Sequence, residues 1–412
     1  MPPSPTTNLR SDRDRAILNA AGFLRSFGVG FLGVVLGIYL FRVGFSSLTI
    51  GLVVGAGLTG AALATLAVSL AADRFGRKTT LLLLSLLSAL GGVALAASHT
   101  LPLLLALALI SMLNGTGTDR SASYSLEQAV IPGLAPGQRR TWNLAFYNVL
   151  IDGGGSLGAL CAGLPLFLQH RSDFSLLAAY RIVFLGYSAA GLLITALYLL
   201  LSPAIEVEGR ASTKPSLAPA TKKIVFRLAT LFSLDAFGGG FLTDAIVSYW
   251  FFRRFGIAEH DLGLVFFAVH VLNAGSHLAA AWLAQRIGLV NTMVFTHLPS
   301  SLFLMAVPFA PSFKWAAILF FCREALVEMD VPTRQSYVAA LVKPEERTLA
   351  SGITNITRNV FWAIGSATAG LLMQLLSFSA PLIVGGGAKV LYDALLYRSF
   401  RKIKPPEEEA KS

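Results

Sequence analysis

Charge is scarce in this chain. Asp, Glu, Lys and Arg make up only 13% of its 412 residues, against roughly 25% in an ordinary soluble domain. Too little polar surface remains to cover a large soluble helical body, so that class is excluded. Cysteine is nearly absent. The two present, Cys161 and Cys322, fall inside apolar stretches, so no disulfide framework is implied. A Gly-x-x-x-x-Gly-Lys-Ser/Thr loop is missing, which excludes direct drive by ATP. The six histidines and two cysteines show no metal-ligand spacing, and no local Ser-His-Asp set occurs. Neither a metal, a cofactor nor an enzymatic activity is expected.

Long apolar runs dominate instead. Hydrophobic residues make up 54% of the chain, and mean hydropathy is +0.65. A helix needs about 20 apolar residues to cross a bilayer. Twelve such spans are predicted: 17–43, 47–71, 79–97, 100–126, 141–168, 177–201, 224–252, 260–284, 289–309, 312–339, 348–376 and 379–398. The predicted fold class is therefore an all-α membrane protein. Residues 1–16 form an N-terminal tail, 17–201 one six-helix bundle, 202–223 a polar linker, 224–398 a second bundle and 399–412 a C-terminal tail. Polar residues 1–15 followed by so long an apolar run do not read as a cleavable signal.

The net charge of +11 invites a nucleic-acid partner, but its distribution argues against one. Basic residues concentrate in alternate loops: Arg10, Arg13 and Arg15, then Arg74, Arg77 and Lys78, then Arg139-Arg140, Lys222-Lys223, Lys343 and Arg347, and Arg398 to Lys404. That alternation follows the positive-inside rule and places both termini in the cytoplasm of a plasma (inner) membrane protein. The expected partners are the lipid bilayer, a small-molecule substrate and protons, with the chain acting as a monomer.

The chain is also written twice. Phe27-Gly28-Val29-Gly30-Phe31-Leu32 returns as Phe237-Gly238-Gly239-Gly240-Phe241-Leu242. Arg140-Thr141, Asn148, Gly158 and Ala162-Gly163 return as Arg347-Thr348, Asn355, Gly365 and Ala369-Gly370. Two similar membrane halves imply a transporter that rocks one half against the other around a central site.

Between the second and third spans lies Ser69-Leu70-Ala71-Ala72-Asp73-Arg74-Phe75-Gly76-Arg77-Lys78. It resembles the signature loop of the major facilitator superfamily, Gly-x-Leu-Ala-Asp-Arg-x-Gly-Arg-Lys, departing at Ser69 and Ala71. The resemblance implies two six-helix bundles related by pseudo-two-fold symmetry and a secondary transporter with no enzymatic role. It also implies that Asp73 docks on the N-terminus of the eleventh span. A gating set is expected from Asp73, Arg74, Gly76, Arg77 and Lys78, with Glu127 pairing Arg74 or Arg77. In the second half Gln285 replaces the acid, leaving Arg286 with Asp330 as its partner; Arg334 is the repeat equivalent of Glu127, and both read as gate charges.

Ionisable groups inside spans cost roughly 2.5 kcal/mol or more unless paired or wet, so each is a functional candidate. Counting about 1.5 Å per residue puts Arg25, Asp152, Asp235, Arg323, Glu324 and Arg358 near mid-membrane. Arg25 and Asp235 are repeat equivalents of opposite sign. His270 and Asn273 are expected at the depth of Asp152, where a carboxylate–imidazole pair can carry a proton. The expected function is proton-coupled efflux of a small molecule, with Asp235 as first choice of proton carrier. The alternatives are uptake or facilitated passage of a small polar or anionic metabolite, or a receptor-like protein that does not transport. Drug-type antiport is weakened because Ser111 stands where such pumps often carry arginine before Gly115-Thr116-Gly117.

Overall fold

A computed structural model describes residues 5–98, 100–119, 121–134, 140–206, 217–343 and 346–403, without the side chains of 5–10, 73, 140–142, 220, 278, 339, 347 and 348. The described residues form sixteen α-helices and no strand. The first half comprises α1 (Pro5–Arg42), α2 (Ser47–Phe75), α3 (Arg77–Ala97), α4 (Leu101–Ser111), α5 (Ala122–Val130), α6 (Arg140–Leu160), α7 (Leu164–Arg171) and α8 (Leu176–Leu199). The second comprises α9 (Pro219–Gly240), α10 (Asp244–Phe255), α11 (Glu259–Ile287), α12 (Leu289–Ala306), α13 (Phe313–Val327), α14 (Asp330–Leu341), α15 (Arg347–Leu375) and α16 (Ala380–Phe400). Among the described residues, eight helical segments are long and apolar enough to cross a membrane by length and composition.

Four rods are interrupted where continuous spans were expected; that between α6 and α7 is a single 3-10 turn, Cys161–Gly163. The longest interruption separates α4 from α5. Met112 turns left-handed at φ 55°, and Gly117 follows at φ 79°, a conformation glycine adopts without a Cβ penalty. The backbone freed there is satisfied locally. Asn114 accepts from the amide and hydroxyl of Thr116 and donates to the Thr118 carbonyl, and Ser121 caps α5 by accepting from the Tyr124 amide. Breaks at Phe241–Thr243 and at Glu328–Met329 separate α9 from α10 and α13 from α14. Non-helical backbone at membrane depth is tolerated only where protein or a cavity surrounds it.

The repeated residues mark equivalent helix crossings. α1 packs on α6, and α9 packs on α15. A Cβ at Gly158 would collide with the Phe27 carbonyl, and one at Gly365 with the Phe237 carbonyl. Lipid tails are as apolar as Leu, so such close backbone contact, not burial from water, holds the helices together. The same pairing recurs in α3 with α8 and α12 with α16, and in α2 with α4 and α11 with α13.

The apolar interior has three parts. One core draws on both halves, from Val34 to Leu40 of α1, Ile50 to Val54 of α2, Ala245 to Phe251 of α10 and Leu262 to Val269 of α11. It lies at the end away from the chain termini. At the termini-bearing end the core divides: Ile17, Leu81, Leu126, Tyr147 and Tyr198 pack within the first half. Val225, Phe232, Met293, Tyr337 and Tyr392 pack within the second. The halves therefore share an apolar core at one end only, although α2 of the first also packs on α15 of the second. Across that seal the Ala245 amide donates to the Gly115 carbonyl at 3.0 Å, and the Ser248 hydroxyl donates to the Val34 carbonyl at 2.7 Å. Arg42 pairs with Glu259 at 2.8 Å, which also accepts from Tyr180 at 2.6 Å. Interhelical hydrogen bonds of this kind contribute about 0.6 kcal/mol each in a membrane.

Candidate functional site

Three of the interruptions described above converge on a cavity between the shared core and the two separate ones. Thr116 and Thr118 line it from the first half; α9 to α16 supply Asp235, Asp244, His270, Asn273, Arg323, Glu324, Glu328, Arg358, Trp362 and Lys389. Such broken rods around a cavity are how transporters expose polar groups at mid-depth.

Asp235 is the hub of one network. Its carboxylate accepts from Lys389 Nζ at 2.7 Å and from Arg358 at 2.7 Å. His297 lies 3.5 Å away and Arg334 3.8 Å away. His297 Nδ1 faces Asp393 at 3.0 Å, while its Nε2 faces Lys389 Nζ at 3.4 Å. Arg334 also pairs with Asp330. Five helices thus meet through ion pairs, and Asp235, Asp393 and His297 are buried.

A second network fills the first half. Arg25 donates to Asp119 at 2.7 Å and to Glu127 at 2.5 Å, and contacts the hydroxyls of Tyr198 and Tyr147 at 3.0 and 3.2 Å. Tyr147 and Tyr198 in turn donate to Glu127 at 2.5 and 2.6 Å. Arg25, Asp119 and Tyr198 border a cavity inside the first bundle, apart from the central one.

Several expected pairings are corrected by these contacts. Arg25, the repeat equivalent of Asp235, faces its own bundle and is held by two acids. Glu127 is taken by Arg25, not by Arg74 or Arg77. Asp330 belongs to Arg334, one helical turn away, while Arg286 is exposed and stacks 4.1 Å above the Trp282 ring. Glu127 and Arg334 take part in ion-pair networks, Glu127 with Arg25 and Arg334 with Asp330 and Asp235. The acid facing His270 is Asp244, at 3.4 Å, not Asp152, which borders neither cavity. Asn273, with its amide nitrogen turned toward the surrounding acceptors, donates to Glu324, which pairs with Arg323.

At the signature loop the Asp73 side chain lies outside the described residues, and Arg74 is exposed. Gly76 takes φ 91°, which opens α3 with its first amides free. Glu206, at the start of the linker, caps them, accepting from the Arg77 amide at 2.7 Å and the Lys78 amide at 3.1 Å. Lys78 Nζ donates to the Leu199 and Leu201 carbonyls. In the second half, Glu346, just before α15, bonds the start of α9, accepting from the Ala218 amide at 2.5 Å and the Thr221 hydroxyl at 2.8 Å. Those two bonds, the amide first, hold the Glu346 carboxyl below the usual carboxylate range.

Four site residues escaped the sequence reading: Lys389, His297, Asp393 and Asp244. The signal that singled out Asp235 applied to them too, since all are ionisable residues within predicted spans.

A profile of the Major Facilitator Superfamily matches residues 18–322 and 228–412. The chain is 25% identical over 419 residues to the uncharacterized membrane protein YJR124C of Saccharomyces cerevisiae, covering 94% of each. Among solved structures it is similar to a bacterial homologue of the human lysosomal transporter Spinster, inward-facing and occupied, with a TM-score of 0.75, 14% identity, and 94% and 96% of the two chains covered. It is also similar to the xylose transporter XylE of E. coli, partially occluded and inward open, with a TM-score of 0.72, 16% identity, and 97% and 99% covered. The nucleoside transporter NupG gives a TM-score of 0.73 at 14% identity, with 94% and 99% covered.

Proposed function

Because the chain belongs to the Major Facilitator Superfamily, and is thus a multi-pass membrane transporter and not an enzyme, we propose that it exports a small molecule by alternating access coupled to protons. The observation that carries this reading is the Asp235 network. A carboxylate at the wall of a central cavity is shared by Lys389 and Arg358, beside a histidine and a further carboxylate. A proton delivered to Asp235 cancels its charge and frees Lys389, whose other near neighbour is His297. His297 in turn leans on Asp393, so loss of one ion pair is met by another in the same pocket. Exchange between such pairings is what a proton-driven cycle requires.

Export is taken from the likeness of the signature loop to efflux-type members; the divided core adds that the cavity lies toward the termini-bearing end, which the basic loops assign to the cytoplasm. The location proposed is the plasma membrane, with twelve crossings and both termini cytoplasmic. A reporter fused after Lys404 then scores as internal, and an external score refutes the topology.

The coupling is tested in vesicles holding purified protein and a pH-sensitive dye. Wild type moves protons when substrate is supplied, and an imposed gradient drives substrate accumulation against the proton flow. Asp235→Asn abolishes gradient-driven accumulation but keeps exchange. Normal accumulation by Asp235→Asn rules out this carrier, and accumulation with the proton flow establishes uptake instead.

A further inference from the structure

The cavity wall matches its charges on one side only. Around Asp235, the fixed cations Arg334, Arg358 and Lys389 share Asp235 and Asp330, while Asp393 is satisfied by hydrogen bonding to His297 at 3.0 Å. Nearer the shared core, Arg323 is consumed by Glu324. Asp244 then faces a histidine and no fixed cation within ion-pair distance among the described residues. Its Oδ2 lies 3.4 Å from His270 Nε2, yet neither atom has a hydrogen-bond partner among the described residues. Both side chains are largely buried, with 15% and 10% of their surface exposed. Burying a carboxylate in this state is costly unless something positive completes it.

The fold also makes room for this acid on purpose. Asp244 opens the first turn of α10 and presses on Gly117, where a Cβ would collide with Oδ2. The left-handed Gly117 thus holds the carboxylate at the meeting point of the two halves. Anion recognition is disfavoured by the same inventory, because every lysine and arginine of the wall already has a carboxylate. Trp362 adds an aromatic ring to the lining, a surface suited to an alkylated cation.

We propose that the transported molecule is an organic cation whose ammonium group is received by Asp244, with His270 as the second polar contact. The proposal rests on reading the central cavity as the substrate site and is independent of proton coupling. The group's charge replaces the missing counter-charge, and its position at the seam makes occupancy felt by both halves.

The test uses the full chain in lipid nanodiscs at neutral pH, with no gradient. Thermal unfolding is followed with n-alkylammonium ions from ethyl to hexyl at about 10 mM, and with the matching n-alcohols and n-alkyl carboxylates. Ligand binding to the folded state raises the midpoint by mass action. At least one ammonium ion is expected to bind at least ~10-fold more tightly than its alcohol. Asp244→Asn erases that preference and Asp244→Glu retains it. If ammonium ions and alcohols act alike, if carboxylates are preferred, or if folded Asp244→Asn keeps the preference, the proposal is overturned. Gradient-driven transport without ammonium preference overturns this inference and leaves proton coupling standing. Ammonium preference without gradient-driven transport does the reverse.

Discussion

The two halves hold their buried charge with opposite signs at equivalent positions. In the first, one cation, Arg25, sits between two acids, Asp119 and Glu127, and two tyrosines close the set. In the second, one acid, Asp235, sits among Lys389, Arg358 and Arg334. The first network borders a cavity inside its own bundle; the second borders the cavity between the halves. Symmetry of backbone has thus been kept while the chemistry divided; on the proposed reading the first set is a fixed brace and the second an exchangeable one. Histidine marks the difference: His297 joins the second network, whereas the contacts of Arg25 involve only carboxylates and phenols.

If the first network is a brace, breaking it costs folding before it costs transport. Arg25→Ala leaves Asp119 and Glu127 buried without their cation, a loss of about 3–5 kcal/mol. Yield and melting temperature in detergent fall sharply, and adding Glu127→Gln recovers part of the loss. A variant that melts like wild type but does not transport removes the distinction between the halves.

The second network gives a smaller structural effect and a larger functional one. Lys389→Met leaves Arg358 and Arg334 on Asp235, so destabilisation stays near 1–3 kcal/mol. Gradient-driven accumulation falls with Lys389→Met, and combining it with Asp235→Asn adds little, because the two residues act as a unit. Full additivity in that double-mutant cycle argues against a shared carrier.

The seam where the halves meet comes next. Gly117→Ala places a Cβ at positive φ, which costs roughly 1–2 kcal/mol, and drives it into Asp244. A lowered melting temperature is expected, together with greater labelling of a cysteine placed near Tyr249. Unchanged labelling shows that the close approach does not control the seal.

The smallest effect is at the linker corner. Glu346 is held below the usual carboxylate range by the Ala218 amide and the Thr221 hydroxyl. A lowered folded-state value means that its stabilisation is complete above the unfolded-state pKa and is lost as pH falls through the folded-state value. The melting-temperature difference between wild type and Glu346→Gln is therefore constant from neutral pH upward and vanishes in acid. A difference that persists in acid shows a role other than the cap.

Fold was legible in the sequence because it depends on features spread over the whole chain. Phe27–Leu32 and its echo at Phe237–Leu242 are repeated because they mark the glycine crossings of α1 with α6 and α9 with α15. Which charges matter was partly legible too: Arg25, Asp235, Arg323, Glu324 and Arg358 all lie in ion-pair networks, whereas Asp152 borders neither cavity. Partners were not. Counting residues along a helix fixes height, but each step turns the side chain by about 100°, and a small error in rotation exchanges one neighbour for another. That is why Asp152 was matched to His270 when Asp244 faces it. The break after α4 was masked for a related reason. Asn114-Gly115-Thr116-Gly117 has the composition of a turn, but the hydropathy of the flanking residues reads through it.

The seam at Gly115 and Ala245 has a consequence for measuring the cycle. An amide in the first turn of a helix has no acceptor within that helix, and the Ala245 amide finds one only in the opposite half. Its proton can reach solvent only when the halves separate at that end and water takes over the bond. The amide hydrogen-exchange rate of this single residue, which needs no label and no altered side chain, therefore counts outward openings directly.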